Sequence, residues 1–193
     1  MMKVAVFLDY ANINASSRQL SCDVDYGALL NYLADESEDR TLQAAYAYVP
    51  IDPRQEHAMD SVISELWRNG YIVKSKVGTI AGDSYKCDFD VEMTLDISRI
   101  AYGSIPDIIV LVSGDSDFIP IVLDMRGRGI RVEVAAFDFS MSRQLALKSS
   151  GFIKLDSIVS SESVAEYLEP LEESNTLEDD ERESEDESAQ DND

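Results

Sequence analysis

Short, nearly continuous apolar runs recur along the chain and alternate with stretches of helical periodicity. The apolar runs cover residues 3–9, 42–49, 71–77, 108–113 and 130–137, with a candidate sixth run at 152–155. The helical stretches cover residues 26–34, 53–68, 90–102, 118–126 and 140–148. Short runs that are apolar throughout are typical of strands buried on both faces of a parallel sheet. The alternation therefore predicts an α/β sandwich with a mostly parallel sheet and a site at the carboxyl ends of its strands.

Residues 79–89, which carry Gly82 and polar turn formers, predict a flexible loop or a hairpin beside that site.

Composition changes sharply near residue 160. Residues 162–193 hold 15 acidic residues and one basic residue, a net charge of −14, whereas residues 1–161 have a net charge of −8. We therefore predict one domain over residues 1–160 and an acidic tail over 161–193, with a short helix followed by a disordered segment. The tail is interpreted as a solubilising segment, a segment that binds a protein partner, or a competitor of nucleic acid.

The total charge of −22 argues against binding of nucleic acid by a broad basic surface and against an anionic membrane as partner. No apolar run approaches the roughly 20 residues that cross a bilayer, and the first residues are unlike a signal peptide. We therefore expect a cytoplasmic protein. Cys22 and Cys87 lack metal-site spacing. The sequence has a single histidine, His57, which excludes a ribonuclease that needs two imidazoles. His57 itself is interpreted as a surface residue.

Acidic residues recur where predicted strands end and helices begin. Asp9 ends the first strand, Asp90 begins a helix, and Asp115 and Asp117 follow the strand at 108–113. If the first and fourth predicted strands are neighbours, these four carboxylates converge at one edge of the sheet. Carboxylates in such proximity repel one another unless a cation lies among them, and oxygen ligands suit Mg²⁺ or Mn²⁺. The pattern indicates metal-dependent hydrolysis of a phosphodiester, which needs only carboxylates, the metal and water.

Some of these acids also have a structural interpretation. Asp115 or Asp117, taken singly, can cap the helix predicted at residue 118. Asp9 is interpreted as a site residue, because the next predicted helix begins too far along the chain to be capped by it. Asp96 is either an exposed carboxylate paired with Arg99 or a ligand of the metal.

Four motifs follow one another around these acids. They are LDYAN from residue 8, KCDFDVEMTLD from residue 86, LVSGDSDF from residue 111 and GIRVEV from residue 129. In this order they resemble the NYN domain, and more narrowly the LabA-like branch of the PIN-like nucleases, over about residues 3–155. The resemblance implies a three-layer α/β/α PIN-like fold, which is Rossmann-like, with a mostly parallel central sheet of about five to six strands. It also implies hydrolysis of RNA.

The resemblance further implies roles for individual residues. Asn12 would hold the loop or a metal-bound water, and Ser113 and Ser116 would contact phosphate. The divalent ion, Mg²⁺ or Mn²⁺, would be held by the acids of the motifs: Asp9, Asp90, Asp96, Asp115 and Asp117.

RNA must approach an acidic face, so local basic residues have to attract it. The candidates are Arg18, in the predicted loop after the first strand, and Lys74, Lys76, Lys86, Arg143 and Lys148. Lys74 and Lys76 are alternatively exposed charges that protect an edge strand from aggregation. Tyr10 and Tyr85 are candidates for stacking on bases.

The leading interpretation is an endoribonuclease that cleaves single-stranded RNA. One alternative is a non-catalytic RNA-binding or regulatory module that acts through RNA or protein partners. Another is a metal phosphohydrolase that acts on small nucleotides or DNA flaps, since the same carboxylates serve any phosphodiester. The sequence leaves open whether the protein is a monomer or a homodimer.

Overall fold

The computed structural model describes residues 1–159, so the predicted tail lies outside the described residues. The strands are β1 (Met2–Asp9), β2 (Arg40–Ile51), β3 (Ile72–Val77), β4 (Thr79–Ala81), β5 (Ser84–Lys86), β6 (Ile108–Val112), β7 (Arg131–Ala136) and β8 (Gly151–Lys154). The helices are α1 (Tyr10–Gln19), α2 (Tyr26–Leu33), α3 (Asp60–Arg68), α4 (Asp90–Gly103), α5 (Ile119–Gly127), α6 (Arg143–Lys148) and α7 (Asp156–Val159). Short 3₁₀ turns cover Glu36–Glu38 and Ser116–Phe118.

Six strands form one parallel sheet with the order β3-β2-β1-β6-β7-β8. The predicted α/β fold is therefore confirmed. The first and fourth predicted strands, β1 and β6, are neighbours, with Leu8 opposite Val112 at their carboxyl ends. The chain leaves β1 toward β2 on one side, and β6 continues toward β7 on the other. Such a reversal of strand order opens a crevice at the carboxyl edge of the sheet.

Alternate residues of β1 enter two separate hydrophobic cores, one on each face of the sheet. Val4, Val6 and Leu8 pack with side chains of α1, α2 and α3, whereas Ala5 and Phe7 pack with side chains of α4, α5 and α6. All five side chains are completely buried. This arrangement gives the three layers that the sequence predicts. Within residues 1–159, no helix combines the length and hydropathy that a membrane span requires.

The helix α1 differs from the sequence-based expectation, which places a loop after β1. The helix begins directly after Asp9, whose carboxylate Oδ1 accepts a hydrogen bond from the backbone N–H of Asn12 at 3.2 Å. The prediction that Asp9 has no helix to cap is therefore wrong, and Arg18 lies in this helix rather than in a loop. Several Asn and Ser residues lower the helix propensity of the segment. Burial of Tyr10 and Ile13 stabilises it.

The chain between β2 and β3 also differs from its prediction, because the helix begins at Asp60 instead of residue 53. Turns formed by i to i+3 hydrogen bonds precede it, and residues 53–58 contain no large apolar side chain that would hold a helix against the sheet. His57 is exposed and pairs with Asp60, which confirms its interpretation as a surface residue. Residues 79–86 form a hairpin, β4–β5, as one of the two alternatives predicts.

Candidate metal centre

Three carboxylates lie together at the carboxyl edge of the sheet. Asp90, Asp115 and Asp117 each offer one oxygen atom, and these oxygens all lie within 4.8 Å of one another. Asp90 is the first residue of α4, whereas Asp115 and Asp117 belong to the turn that follows β6. The structure thus brings together three of the four acids that the strand-end pattern singles out.

Asp9 lies beside this group rather than in it. Its Oδ2 accepts a hydrogen bond from the hydroxyl of Ser113 at 3.0 Å, and that hydroxyl accepts one from the backbone N–H of Asp115 at 3.2 Å. Burial raises the pKa of Asp9, hydrogen bonds from Asn12 and Ser113 oppose the increase, and the negative charge of Asp115 adds to it. Asp9 therefore adds negative charge next to the group and is joined to Asp115 through Ser113.

The loop after β6 is fixed from two sides at Gly114. Its N–H donates to Oδ1 of Asn12 at 3.0 Å, and its carbonyl oxygen accepts from the N–H of Ser142 at 2.9 Å. A Cβ atom at Gly114 would overlap the carbonyl oxygen of Ser140. Asn12 therefore holds the loop, which is one of the two roles expected for it. The contact with the segment before α6 was not predicted, because no sequence pattern links residues so distant.

Asp90 is the member of the group whose ionisation is most clearly disfavoured. Burial, followed by the charges of Asp115, Asp9, Asp88 and Asp117, raises the pKa of Asp90 to about 6. Negative charge held in one place by the fold favours a bound cation, and a set of carboxylate oxygens suits a hard divalent ion. The donor atoms of Asp90, Asp115 and Asp117 thus fit Mg²⁺ or Mn²⁺.

Asp96 does not belong to this group and has a different role. Its carboxylate accepts hydrogen bonds from the Tyr48 hydroxyl at 2.7 Å, the Lys74 ammonium at 2.6 Å and the Arg99 guanidinium at 3.1 Å. Burial by itself would raise the pKa of Asp96, but these donors outweigh burial and lower it. The predicted metal ligand is instead the centre of an ion-pair network, and the expected pairing with Arg99 is observed on a buried carboxylate rather than an exposed one.

The two serines of the turn after β6 have different environments. Ser113 is completely buried, so its hydroxyl cannot contact phosphate as expected; it positions Asp9 and Asp115 instead. Ser116 is exposed at the start of the 3₁₀ turn and remains accessible to a ligand. Asp115 also caps this turn, because its Oδ1 accepts from the N–H of Asp117 at 2.9 Å. Asp115 therefore both caps the 3₁₀ turn and belongs to the carboxylate group.

The aromatic and basic side chains that were expected to contact RNA differ in their exposure to solvent. Tyr10 is buried against Tyr26, so it cannot stack on a base, whereas Tyr85 is half-buried. Lys86 and Arg143 are exposed, at the end of β5 and at the start of α6 respectively. Two further candidates lie on the edge strand β3 and form ion pairs with acids of α4: Lys74 and Lys76.

The raised pKa of Asp90 predicts a pH-dependent cost in stability without metal. The carboxyl has a pKa of about 6 in the folded protein against 3.8 ordinarily, so its ionisation destabilises the fold progressively as the pH rises through this window. Replacing Asp90 with Asn removes that cost. Since part of the side chain faces solvent, we expect a gain of only about 1–2 kcal/mol in the free energy of unfolding at pH 7.

Urea unfolding of both proteins with a chelator, at several pH values between about 4.5 and 7.5, measures this gain. The difference between Asp90→Asn and wild type should grow with pH across the window. A difference that stays constant with pH would contradict the raised pKa of Asp90 as the origin of the gain.

Comparison with known proteins identifies the family of this chain. The model of the NYN domain matches residues 3–156. The chain belongs to the NYN domain family. This NYN protein is 26% identical over 177 residues to the "Low amplitude and bright protein LabA" of Synechococcus elongatus, an alignment that covers 88% of the present chain and 92% of LabA. The LabA-like resemblance is thus confirmed.

A solved structure supports the fold of this NYN protein. The crystal structure of a protein of unknown function from Vibrio parahaemolyticus matches with a TM-score of 0.67 and 26% sequence identity. The match covers 80% of the present chain and 93% of the Vibrio chain. The three-layer architecture is therefore shared with a protein of known structure.

Proposed function

We propose that this NYN protein is a metal-dependent endoribonuclease that hydrolyses phosphodiester bonds of single-stranded RNA in the cytoplasm. The observation that carries the proposal is the group of three carboxylates whose oxygens lie within 4.8 Å of one another. Membership of the NYN family, which belongs to the PIN-like nucleases, supports the class of reaction.

In this proposal Asp90, Asp115 and Asp117 hold Mg²⁺ or Mn²⁺. Such an ion supplies positive charge that stabilises the phosphoryl oxygens during hydrolysis and promotes the activation of water. Ser113 maintains the spacing between Asp9 and Asp115 through its two hydrogen bonds. Asn12 fixes the turn that presents Asp115 and Asp117, which keeps the reacting groups preorganised.

Charge at the rim of the site would decide how RNA approaches it. Lys86 and Arg143 are exposed basic side chains on segments that adjoin the site. Arg143 directly follows Ser142, which bonds to Gly114, and Lys86 lies four residues before Asp90. Ser116, exposed in the turn, adds a hydroxyl donor for a phosphate oxygen.

A panel of end-labelled single-stranded RNA, duplex RNA, single-stranded DNA and duplex DNA tests the proposal. Each substrate is incubated with the full chain and Mg²⁺, Mn²⁺ or a chelator, and products are resolved on denaturing gels. We expect products from single-stranded RNA that require the metal. Binding of RNA without such products would support the non-catalytic module instead, and cleavage confined to DNA would support a different phosphohydrolase.

A further inference from the structure

The β4–β5 hairpin carries Lys86 at its end and lies in the chain between the edge strand β3 and α4, the helix that begins with Asp90. Two-stranded hairpins are marginally stable by themselves in water. A hairpin that keeps one position therefore needs contacts with the rest of the domain.

An arginine holds the turn of this hairpin. Arg54 donates from Nη1 to the carbonyl oxygen of Asp83 at 2.9 Å. The same guanidinium is fixed by the carboxylate of Asp52, through Nε to Oδ1 at 2.9 Å and Nη2 to Oδ2 at 2.6 Å. Planar pairing of this kind restricts the orientation of the guanidinium. Arg54 thus ties the turn of the hairpin to the end of β2.

The base of the hairpin packs closely on the end of β3. A Cβ at Gly78 would lie 2.7 Å from Cδ2 of Tyr85 and 2.8 Å from the carbonyl oxygen of Lys86, so only glycine permits this approach. The thiol of Cys87 donates to the carbonyl oxygen of Lys76 at 3.4 Å. These contacts hold the end of β5 close to Gly78 and hold Cys87 close to the end of β3.

A pocket of about 290 Å³ lies between the hairpin and the end of β3. Its walls include Lys76, Thr79, Lys86 and Asp88. Lys76 is already engaged, because its ammonium bonds to the carbonyl oxygen of Asp88 and to the carboxylate of Glu92. Lys86 forms no ion pair with any residue of the range 1–159, so its charge is available to a ligand.

The pocket adjoins the segment of the chain that leads to Asp90. Asp88 lies in its wall, and Asp90 follows two residues later as a member of the carboxylate group. The charge of Asp88 acts directly on Asp90. An occupant that reaches from the carboxylates into the pocket would need a negative group at Lys86, as the backbone of a nucleic acid provides.

We propose that the β4–β5 hairpin and the end of β3 form a binding arm for single-stranded RNA, in which Lys86 contacts a backbone phosphate flanking the cleaved bond. The inference rests on the proposed function, which supplies RNA as the ligand. Arg54 is a positioning residue in this arm, since it acts through the hairpin and not on the RNA.

Fluorescence anisotropy with a labelled single-stranded RNA tests the proposed binding arm. The RNA is titrated with the full-length Asp115→Asn protein and, separately, with wild type in the presence of a chelator. Lys86→Ala is introduced in both backgrounds. Lys3→Ala is the matched control, because Lys3 is exposed, lies at the amino end of β1 and forms no ion pair within residues 1–159. Lys86→Arg, which keeps the charge, serves as the rescue variant. Circular dichroism verifies that each variant is folded.

Lys86→Ala should weaken binding roughly fivefold at low salt and reduce the slope of log affinity against log salt by about 0.7, the value for one phosphate contact on a single strand. Lys3→Ala should change neither quantity, and Lys86→Arg should restore both. If Lys86→Ala and Lys3→Ala had equal affinities and slopes, the proposal that the hairpin binds RNA through Lys86 would be wrong. Failure of the proposed function is a separate result: the absence of cleavage by wild type, whatever the affinities.

Discussion

Replacing Asp115 with Asn is expected to lower metal-dependent RNA cleavage by more than about 100-fold while the protein stays folded. Changes to groups that merely orient metal ligands cost about 10- to 100-fold, and Asp115 contributes its own oxygen to the carboxylate group. The structural role of this side chain survives the change. Asn caps helical turns as well as Asp does, so the hydrogen bond from the N–H of Asp117 is retained.

The rate of product formation across a titration of Mn²⁺ measures this effect, and thermal unfolding monitors the fold. Asp124→Asn is the matched control, because Asp124 is an exposed acid of α5 that pairs with Arg128 outside the carboxylate group. It should cleave at the wild-type rate. If Asp115→Asn equals this control at saturating metal, the group of Asp90, Asp115 and Asp117 is not the site of hydrolysis.

The parallel sheet itself was predictable because its central strands are apolar on both faces, whereas the strand order, including the pairing of β1 with β6, was not. Every residue of β6 is buried, and a continuous apolar sequence of this kind is typical of the central strands of any parallel sheet that is covered by helices. The helix α1 was not predictable in this way. Its Asn and Ser residues favour turns in isolation, and the helix depends on packing of Ile13 in the core and on the capping bond from Asn12 to Asp9.

The residues of the candidate site also differ in how far the local sequence predicts their positions. Asp115 and Asp117 lie directly after a buried strand, so their position at the edge follows from local sequence. Asp96 was misassigned because its strongest partner, Lys74, lies 22 residues away on β3, where no helical periodicity connects the two. The burial of Ser113 likewise depends on the pairing of β1 with β6, which places Asp9, 104 residues distant, against its hydroxyl.

Nothing in the hydrophobic pattern indicates the buried ion pair on β7. Glu133 is 3% exposed in a strand that is otherwise apolar after its first residue. Its carboxylate accepts two hydrogen bonds from Arg40, at 2.9 and 3.1 Å, and one from Arg131 at 2.6 Å. Burial alone would raise the pKa of Glu133, but the two arginines lower it. Arg40, at the start of β2, thus pairs with a residue of β7, although β1 and β6 lie between these two strands in the sheet.

Replacing Arg40 with Met is therefore expected to reduce the free energy of unfolding by about 3 kcal/mol at pH 7. Removal of one partner from a buried ion pair leaves a charge without compensation, which costs about 3–5 kcal/mol. The lower end applies because Arg131 still donates to Glu133. Urea unfolding at constant pH measures the loss, and the slope with denaturant should remain unchanged if the native state stays compact.

The double variant Arg40→Met with Glu133→Leu separates the lost charge from lost packing. When both charges are removed together, apolar contacts replace the ion pair, and we expect most of the stability to return. The difference in stability between wild type and the single variant should also shrink at acidic pH, because wild type loses the stability that accompanies the lowered pKa of Glu133 once that carboxylate is protonated. A loss that is independent of pH and persists in the double variant would instead place the contribution of Arg40 in the packing of its aliphatic stem.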